Sequence, residues 1–511
     1  LFFIKIIKKS FHKLKKGYNT IVFFFKLRGL MDFIVSGFEA ILNWIVNTLD
    51  GPIWDITILL LLGTGLFFTI TTGLVQLRLL PQSLREMWGG RAADGDSLTP
   101  FQAFTTGLAS RVGVGNIGGV ATAIALGGPG AVFWMWITAL MGMSSAFAES
   151  SLAQLYKTRD SNGMFRGGPA YYITRGLKCK PLAIAFAITL IFTFGFAFNA
   201  VQSNSIVAAT SKAWSWDAES VGIVLVILTA VIIAGGVKRI GQVSAKVVPT
   251  MALFYLIIAV IILGMNISKV PEILSMIISN AFDFSAVAGG MFGSIVSKTM
   301  LMGIKRGLFS NEAGMGSAPN SAATSDAKHP ASQGLIQMLG VFVDTIIVCT
   351  CTAVIILMSD NYGNETLKGV ELTQTALQYH LGEFGVHFLA FILLLFCYTS
   401  IIGNYAYAEM NIRYIKNKAW FVWSFRVIVL FFVYFGAVRD GGIVWAFADT
   451  VMATMAIINL IAILILSPIV WRILKDYVRQ LKAKQEPVFC IEEHQELIHR
   501  GVDPLVWKSK E

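Results

Sequence analysis

The sequence predicts an all-α polytopic membrane protein with about 11 transmembrane helices. Of its 511 residues, 55% are hydrophobic and only 14% are charged, whereas an average soluble domain has about 25% charged residues. Apolar stretches of about 20 residues, the length needed to cross a bilayer, recur along the chain. Two of these stretches are interrupted by clustered glycine and polar residues, which predicts broken helices.

Eleven apolar stretches are long enough to cross a bilayer, and only short polar loops separate them. This arrangement leaves no room for a soluble domain, so the chain is expected to lie in a lipid bilayer. The stretches run approximately over residues 56–77, 101–126, 130–156, 181–210, 219–236, 247–268, 286–311, 333–358, 383–413, 419–437 and 443–474.

The distribution of lysine and arginine predicts the orientation of the chain. The segments 78–100, 157–180, 237–246 and 411–418 are basic, and they are alternate loops. Because basic loops stay on the cytoplasmic side, these four share that side. We therefore predict a multi-pass protein of the cell inner (plasma) membrane, with its N-terminus outside and its C-terminal tail, residues 475–511, in the cytoplasm.

Residues 1–30 contradict this scheme, because they contain many lysines and no acidic residue yet would lie outside. The chain begins with leucine, and Met31 follows this segment. We interpret 1–30 as a non-native or disordered leader with the true start at Met31, and a basic amphipathic arm is the alternative. Residues 31–77 are expected to form an amphipathic helix on the outer face, over 32–50, and then the extra span.

The two clusters of glycine and polar residues cover residues 107–119 and 303–319. Unpaired backbone groups are costly in hydrocarbon, so a broken helix is tolerated only where it is buried in protein or lines a watery cavity. The second cluster lies five spans after the first. This spacing indicates a 5+5 inverted repeat, with halves over 101–270 and 286–474.

The two breaks predict a binding site for a zwitterion near the membrane midplane. Helix N-termini offer free amides to a carboxylate, and exposed carbonyls can hold Na⁺ or an ammonium group. The alternative is that the glycines only allow helices to cross closely. That alternative does not explain the polar residues beside the glycines. Inside a membrane, polar residues usually mark an ion or substrate pathway or form a pair with one another. The polar residues beside the glycines are Arg111, Asn116, Lys305, Arg306, Asn311 and Glu312.

The motifs at these breaks, and one in the basic loop 157–180, resemble those of a known family. GLASRVGVGNIGGVATAI, MFRGGPAYYI and GLFSNEAGMGSAPNSAATS are similar to sequences of the alanine or glycine:cation symporter family of sodium-coupled amino-acid carriers. The resemblance covers essentially all of residues 51–475. It implies the fold of the amino acid, polyamine and organocation superfamily, in which ten core helices form an inverted repeat, here preceded by one extra span.

The resemblance also implies which residues bind the substrate. Amides near Gly115 and the Asn116 side chain would bind its carboxylate, and carbonyls near Phe309 would bind its ammonium group. The Phe309 ring would form an apolar wall of the pocket. The expected substrate-binding residues are Val114, Gly115, Asn116, Gln202, Phe309, Ser310, Asn311, Gly314 and Asn404.

A sodium site is implied beside the first break. The backbone carbonyls of Ala109 and Val112 and the hydroxyls of Thr399 and Ser400 resemble the sodium ligands shared across this fold. Such oxygens suit a hard cation, which needs several oxygen ligands at fixed positions. The alternative is that the two hydroxyls bond to carbonyls of their own helix.

The sequence departs from the family pattern at two pocket positions. Many alanine and glycine carriers of this family have threonine at the position of Val114, and tryptophan after glycine where this chain has Gly403-Asn404. Asparagine in place of tryptophan removes much of a pocket wall and adds an amide donor and acceptor. We therefore expect a larger and more polar pocket, which makes glutamine a rival to alanine and glycine.

Four acidic residues inside other apolar stretches are expected to pair with basic residues, which would neutralise buried charge. The acidic residues are Glu149, Asp344, Glu409 and Asp449, and their expected partners are Arg111, Lys305 and Arg306. A proton-relay role for Glu312 or Glu409 is the alternative.

These observations predict a sodium-coupled symporter of small neutral amino acids that works by alternating access. Na⁺ is the coupling ion, no other cofactor is expected, and the protein is expected to be a monomer that binds no nucleic acid. Proton-coupled symport and, less favoured, an ion channel are the alternatives. An enzyme is not expected, since the sequence has no ATP-binding motif and no metal or nucleophile constellation.

Overall fold

A computed structural model describes residues 20–88, 97–160, 163–282, 297–364, 366–367 and 369–507. These residues are almost entirely helical, which confirms the predicted all-α class. The chain divides between Gly51 and Pro52 into two compact units. The candidate site lies wholly within the second unit.

The helices up to residue 281 include both halves of the first broken span. In chain order they are α1 (Thr20–Thr71), α2 (Val75–Arg78), α3 (Leu80–Trp88), α4 (Pro100–Arg111), α5 (Val120–Gly127), α6 (Ala131–Leu155), α7 (Pro169–Arg175), α8 (Lys180–Leu190), α9 (Phe198–Trp214), α10 (Ala218–Ile233), α11 (Gly236–Met265) and α12 (Val270–Ala281). Two short antiparallel strands, β1 (Thr158–Arg159) and β2 (Phe165–Arg166), lie between α6 and α7.

The helices from residue 298 onward include both halves of the second broken span. They are α13 (Lys298–Asn311), α14 (Ala318–Ala323), α15 (Pro330–Val341), α16 (Thr350–Leu357), α17 (Val370–Leu381), α18 (Glu383–Ile415), α19 (Ala419–Val438), α20 (Gly441–Ile465), α21 (Ser467–Lys482) and α22 (Glu496–His499). Two π-helical segments, Ile191–Ala197 and Phe342–Cys349, join consecutive α-helices into longer rods, and a third, Gly115–Gly119, continues directly into α5.

Eight helical segments in the described ranges are long and apolar enough to cross a membrane. They are Leu42–Thr71, Ala131–Leu155, Lys180–Trp214, Gly236–Met265, Pro330–Leu357, Glu383–Ile415, Ala419–Val438 and Gly441–Ile465. Three further predicted spans correspond to shorter helices, namely the two broken spans and α10. The structure is therefore that of a polytopic membrane protein, and the count of eleven spans stays a prediction.

The first helix differs from its prediction. We expected an amphipathic helix over 32–50 and a separate span over 56–77, whereas α1 is one helix that contains Pro52. A proline inside a helix removes one amide donor, and long apolar helices tolerate that loss. Of the predicted leader, residues 1–19 lie outside the described residues, and the rest begins α1.

The outward faces of α10 and α11 carry large apolar side chains. On α10 these include Ile223, Val224 and Ile227, and on α11 they include Leu253 and Val260, all of which are exposed. In water such a continuous apolar face would be costly, whereas in a bilayer it contacts lipid chains. These two helices therefore lie at the lipid-facing edge of the bundle.

The C-terminal segment packs back onto the helical bundle. The Phe489 N–H donates to the Lys328 carbonyl at 3.0 Å, and the Trp507 ring nitrogen donates to the Leu155 carbonyl at 3.1 Å. These bonds join the end of the described chain to the ends of α6 and of the second broken span.

A buried ionic cluster, which lies outside the predicted spans, stabilises the packing of the C-terminal segment. His329 Nδ1 accepts from the Ala331 N–H at 3.1 Å, so its Nε2 carries the proton and donates to Asp476 at 3.2 Å. Burial raises the pKa of Asp476, but hydrogen bonds from His329 and Arg479 outweigh it and lower that pKa to about 2. The stabilisation is therefore complete at neutral pH and is lost as the pH falls toward 2.

Candidate functional site

The first helix break follows Arg111, where α4 ends and the chain bends before the π-helical segment Gly115–Gly119. The Gly113 N–H donates to the Asn116 side-chain oxygen at 3.0 Å. The Val114 N–H donates to the Gln202 side-chain oxygen, also at 3.0 Å. The break therefore frees backbone amides and brings them to two predicted site residues.

The second break follows Asn311, where α13 ends. Glu312, Gly314 and Gly316 have φ angles of 58°, 84° and 83°, which a helix does not accommodate and which glycine adopts at least cost. The helix resumes only at α14. The structure thus contains both predicted breaks.

The two breaks lie against each other. The Ser110 hydroxyl, one residue before the end of α4, donates to a Glu312 carboxylate oxygen at 2.6 Å. A Cβ atom added at Gly115 would lie 3.0 Å from the Ser310 Cα and 3.2 Å from the Phe309 ring. The site residues that we predicted on the two broken helices are therefore neighbours. They approach this closely because Gly115 has no side chain.

Glu149 of α6 holds the second break open. Its carboxylate accepts from the N–H groups of Gly314 at 3.2 Å and Gly316 at 3.1 Å, and from the Asn459 side chain at 2.6 Å. These amides would otherwise be buried without acceptors, at a cost of about 1–3 kcal/mol each. The sequence indicated an intramembrane acid here but not this role.

Asp344 joins the two breaks from the side of α15. Its carboxylate accepts from Asn116 at 2.6 Å on one oxygen, and from Ser310 and Thr345 at 2.8 Å each on the other. It lies in the π-helical segment Phe342–Cys349 and is fully buried. Two predicted substrate-binding residues thus contact a carboxylate that the sequence did not place in the site.

Arg111 is a buried basic group whose charge acts on these acids. Its side chain is buried and donates to the Gln337 carbonyl at 3.2 Å. Its charge attracts the carboxylates of Glu149, Glu312 and Asp344. For Glu149 and Asp344 we expected a pair with Arg111, Lys305 or Arg306. Within the described ranges, Arg111 attracts both carboxylates without a direct contact.

The other two acids for which we predicted ion pairs are Asp449 and Glu409, and only Asp449 contacts an expected partner. Arg306 forms an ion pair with Asp449, as expected. Glu409 instead contacts Arg413, at 2.5 Å, and Arg426, at 3.7 Å. Arg413 is one turn further along α18, so this partner was available from the sequence spacing.

Aromatic rings surround Phe309. Its ring centroid lies 4.5 Å from that of Phe198 on α9 and 4.8 Å from that of Trp445 on α20. The Arg306 guanidinium lies over the Trp445 ring at 4.9 Å. The predicted apolar wall is therefore a three-ring cluster with a charged pair beside it. No pattern in the sequence indicated Phe198 or Trp445.

Asn404 is placed in a hydrogen-bonded chain. Its side-chain oxygen lies 2.7 Å from the Ser110 hydroxyl oxygen, and its amide nitrogen donates to Asn199 at 3.1 Å. Asn311, by contrast, accepts from the Ala313 N–H at 3.0 Å, and its amide nitrogen lacks a hydrogen-bond partner among the described residues. Both side chains are fully buried beside the breaks.

The residues predicted to bind sodium are partly assembled. The Ser400 hydroxyl lies 3.0 Å from the Ala109 carbonyl, 3.3 Å from that of Val112 and 3.0 Å from that of Phe396. A hydroxyl has one proton, so it can donate to only one of these three oxygens. Oxygen lone pairs therefore converge at this point, as a hard cation requires.

Thr399 behaves differently from its neighbour. Its hydroxyl donates to the Phe396 carbonyl at 3.0 Å and contacts the Met251 sulfur at 3.6 Å. This is the bonding to its own helix that was the alternative for both hydroxyls. A role for Thr399 in binding sodium stays a prediction.

All thirteen residues predicted to bind substrate or sodium are buried. They come from α4, the first break, α9, α13, the second break and α18, so distant parts of the sequence converge here. Their burial shields these residues from solvent within the described part of the chain. Chemically, the arrangement offers backbone amides, carbonyl and hydroxyl oxygens and an aromatic wall, which suit a small zwitterion and a cation.

Comparison with known proteins gives one consistent result. The sodium:alanine symporter family matches residues 39–491. An uncharacterized transporter of Haemophilus influenzae is 72% identical, over 92% of this chain and 98% of its own length. A probable sodium/glutamine symporter of Bacillus subtilis is 45% identical, over 88% and 94%. A sodium/alanine symporter of Methanococcus maripaludis is 39% identical, over 83% and 95%.

Proposed function

The chain belongs to the sodium:alanine symporter family, and from that premise we infer that it carries small neutral amino acids across a membrane together with Na⁺. This family is one of transporters and not a class of enzymes. The single observation that carries the inference from the structure is the contact between two helix breaks, through Ser110 and Glu312, inside an apolar bundle.

The substrate is proposed to lie where the breaks meet. The amides of Gly115 and the Asn116 side chain would bind its carboxylate, and carbonyls near Phe309 would bind its ammonium group. Gln202, Ser310, Asn311 and Gly314 complete the set, with Val114 on the pocket wall. The close approach of Gly115 to Ser310 supports this proposal, since both groups lie within reach of one small ligand.

Sodium is proposed to bind at Ser400 and the carbonyls of Ala109 and Val112, with Thr399 nearby. The convergence of oxygen lone pairs at the Ser400 hydroxyl supports this assignment. Na⁺ at this point would link α18 to the first break. It would thereby favour the arrangement in which the substrate site is assembled, which couples the two ligands.

We propose that the protein lies in the plasma membrane as a monomer with its C-terminus in the cytoplasm. The basic loops 78–100, 157–180, 237–246 and 411–418 support this orientation. The helices of residues 101–270 and 286–474 would form the two halves that rock against each other.

Uptake into proteoliposomes tests the function directly. An inward Na⁺ gradient is expected to drive saturable accumulation of labelled alanine, while a proton gradient at equal Na⁺ is not. Vesicles without protein are the control. Accumulation that follows only the proton gradient would favour proton-coupled symport, and uptake that does not saturate would favour a channel.

The preferred amino acid is the finer question. The Bacillus subtilis relative named for glutamine supports a pocket that accepts that larger side chain, whereas the Methanococcus maripaludis relative is named for alanine. Because asparagine at position 404 is smaller than tryptophan, we propose that glutamine is transported as well as alanine.

Substituting Asn404→Trp tests this proposal. The indole ring fills space and removes the amide that lies beside the Ser110 hydroxyl and donates to Asn199. Glutamine uptake is expected to fall by about tenfold more than alanine uptake, which corresponds to about 1.4 kcal/mol of selectivity. The measurement is competition of labelled alanine uptake by excess glutamine, and equal retention of both substrates would contradict the pocket argument.

A further inference from the structure

A cavity of about 560 Å³ lies between the end of α1 and the helix α21. Thr71 and Arg78 line it on one side, and residues of α21 from Trp471 to Lys482 line it on the other. The α21 residues recur at intervals of three and four, so they share one face of that helix. The volume falls within the range of roughly 300–1,000 Å³ that ligand sites occupy, and neither the substrate site nor the sodium site includes this cavity.

The charged side chains that line this α1–α21 cavity are all basic. They are Arg78, Lys475, Arg479 and Lys482. Arg479 is paired with Asp476 at 2.5 Å and with Glu493 at 3.0 Å, and neither acid lines the cavity. Lys475 and Lys482 are exposed, and in the ranges that the structure describes neither belongs to an ion pair. The cavity therefore has an excess of positive charge.

The Arg78 guanidinium is fixed at the end of α1. One of its N–H groups donates to the Thr72 carbonyl at 3.1 Å. A guanidinium has five N–H groups in a planar fork, so the same side chain can also donate to the oxygens of an anion. Arg78 thus offers an oriented donor set, to which Lys475 and Lys482 add two further charges.

The rest of the cavity wall is apolar. Trp471, Leu474 and Val478 of α21 line it between the basic side chains. Leu77, which precedes Arg78 in the chain, is 60% exposed, so apolar surface continues outside the cavity. Basic groups above an apolar wall match an amphiphile that has an anionic head, whereas a free inorganic anion would gain nothing from the apolar part.

The cavity lies where two membrane spans end. The spans Leu42–Thr71 and Gly441–Ile465 are both long and apolar enough to cross a bilayer, and α21 begins directly after the second. The Trp471 ring centroid lies 5.9 Å from that of Phe67, which is one turn before the end of α1. Tryptophan favours the boundary between hydrocarbon and headgroups. The cavity is therefore at the level of lipid headgroups.

The proposed orientation places this boundary on the cytoplasmic side, because the basic loop 78–100 and the C-terminal tail both follow the two spans there. The cytoplasmic leaflet has a negative surface potential, and basic pockets beside membrane helices on that side bind anionic headgroups. The charge of the cavity thus matches the lipids that surround it.

We propose that the α1–α21 cavity binds one anionic phospholipid of the cytoplasmic leaflet. Its phosphate is bound by Arg78, Lys475 and Lys482, and its apolar part lies along Trp471 and Val478. A zwitterionic headgroup carries a positive charge that these three basic groups repel, so the site selects phosphatidylglycerol over phosphatidylcholine. Lipid binding needs neither substrate nor an ion gradient, so this proposal is tested independently of the proposed symport.

Native mass spectrometry of the full chain in nonionic detergent, titrated with phosphatidylglycerol, measures this binding. We expect one tightly bound lipid on the wild type. The double substitution Lys475→Gln with Lys482→Gln should weaken that binding about 30-fold, since each lysine near an anionic lipid contributes about fivefold. Lys416→Gln with Lys418→Gln is the matched control, because it removes two lysines from the same predicted side and should leave the affinity unchanged.

A second variant tests the cavity without changing its charge. Val478→Trp places an indole ring in the cavity and keeps all four basic residues, so it should weaken phosphatidylglycerol binding by at least about tenfold. Val427→Trp, at a position of α19 that is 65% exposed, is its matched control and should bind as the wild type does. If Val478→Trp does not fold, the substitutions of the exposed lysines still decide the proposal.

Four results would overturn the proposal. Equal affinities of the wild type for phosphatidylglycerol and phosphatidylcholine would show that the site does not recognise an anionic head. Equal weakening in the two lysine double variants, or full affinity in Val478→Trp, would place the lipid outside the cavity. Displacement of the lipid by millimolar inorganic phosphate would identify a site for a soluble phosphate group. A wild type that binds no phosphatidylglycerol would show that something else covers the cavity.

Discussion

Replacing Glu149 by alanine is expected to lower the free energy of unfolding by about 3–5 kcal/mol and to abolish uptake. The substitution leaves the buried N–H groups of Gly314 and Gly316 and the Asn459 amide without their acceptor. Since these amides shape the second break, the substrate and cation sites lose their geometry together. Thermal unfolding in detergent and alanine uptake measure the two effects.

Two further variants show whether the loss is specific to those amides. Glu149→Gln keeps one carbonyl oxygen, so it should lose less stability than Glu149→Ala. The exposed Glu272→Ala on α12 is the matched control and should behave as the wild type. An unfolding temperature for Glu149→Ala equal to that of the wild type would show that the amides do not need this carboxylate.

Arg111→Ala is expected to have an effect of similar size, about 3–5 kcal/mol, because it removes the positive charge that faces three buried carboxylates. Uptake should fall below detection, since Arg111 also ends α4 at the first break. The same unfolding and uptake measurements apply, with the exposed Arg85→Ala as the matched control.

A double substitution separates charge from shape in this prediction. Glu312→Gln removes one of the carboxylates that Arg111 attracts, so combining it with Arg111→Ala should cost less than the two single effects added together. Strict additivity would show that Arg111 acts through packing and not through charge.

The breaks could be predicted from the sequence because glycine and polar residues cannot continue an apolar membrane helix at no cost. Gly314 and Gly316 take positive φ angles, and Asn116 bonds to the freed Gly113 amide, as that reasoning requires. The same property of glycine and polar residues, together with the family resemblance, also predicted which residues meet across the two breaks.

The sequence did not show which of two adjacent hydroxyl residues on α18 faces the predicted sodium site. Thr399 and Ser400 are adjacent, and successive residues point about 100° apart on a helix. Only Ser400 therefore reaches the carbonyls of Ala109 and Val112. Composition alone did not indicate which of the two hydroxyls faces the first break.

The roles of the buried acids depend on contacts between distant parts of the chain. Glu149 lies 165 residues before Gly314 in the sequence, and no local pattern links the two. Asp344 lies in a π-helical turn, which shifts the direction of its side chain from that expected for an α-helix. The sequence therefore indicated that these acids matter but not what they contact.

The lipid-facing helix α10 has a consequence for the membrane itself. Its 16 residues rise about 24 Å at 1.5 Å each, less than the roughly 30 Å of hydrocarbon in a typical bilayer. Trp214 and Trp216 lie just before its first turn, with ring centroids 4.7 Å apart, where indole rings favour the headgroup boundary. We therefore expect hydrophobic mismatch to thin the bilayer along this edge and to favour lipids with shorter acyl chains there.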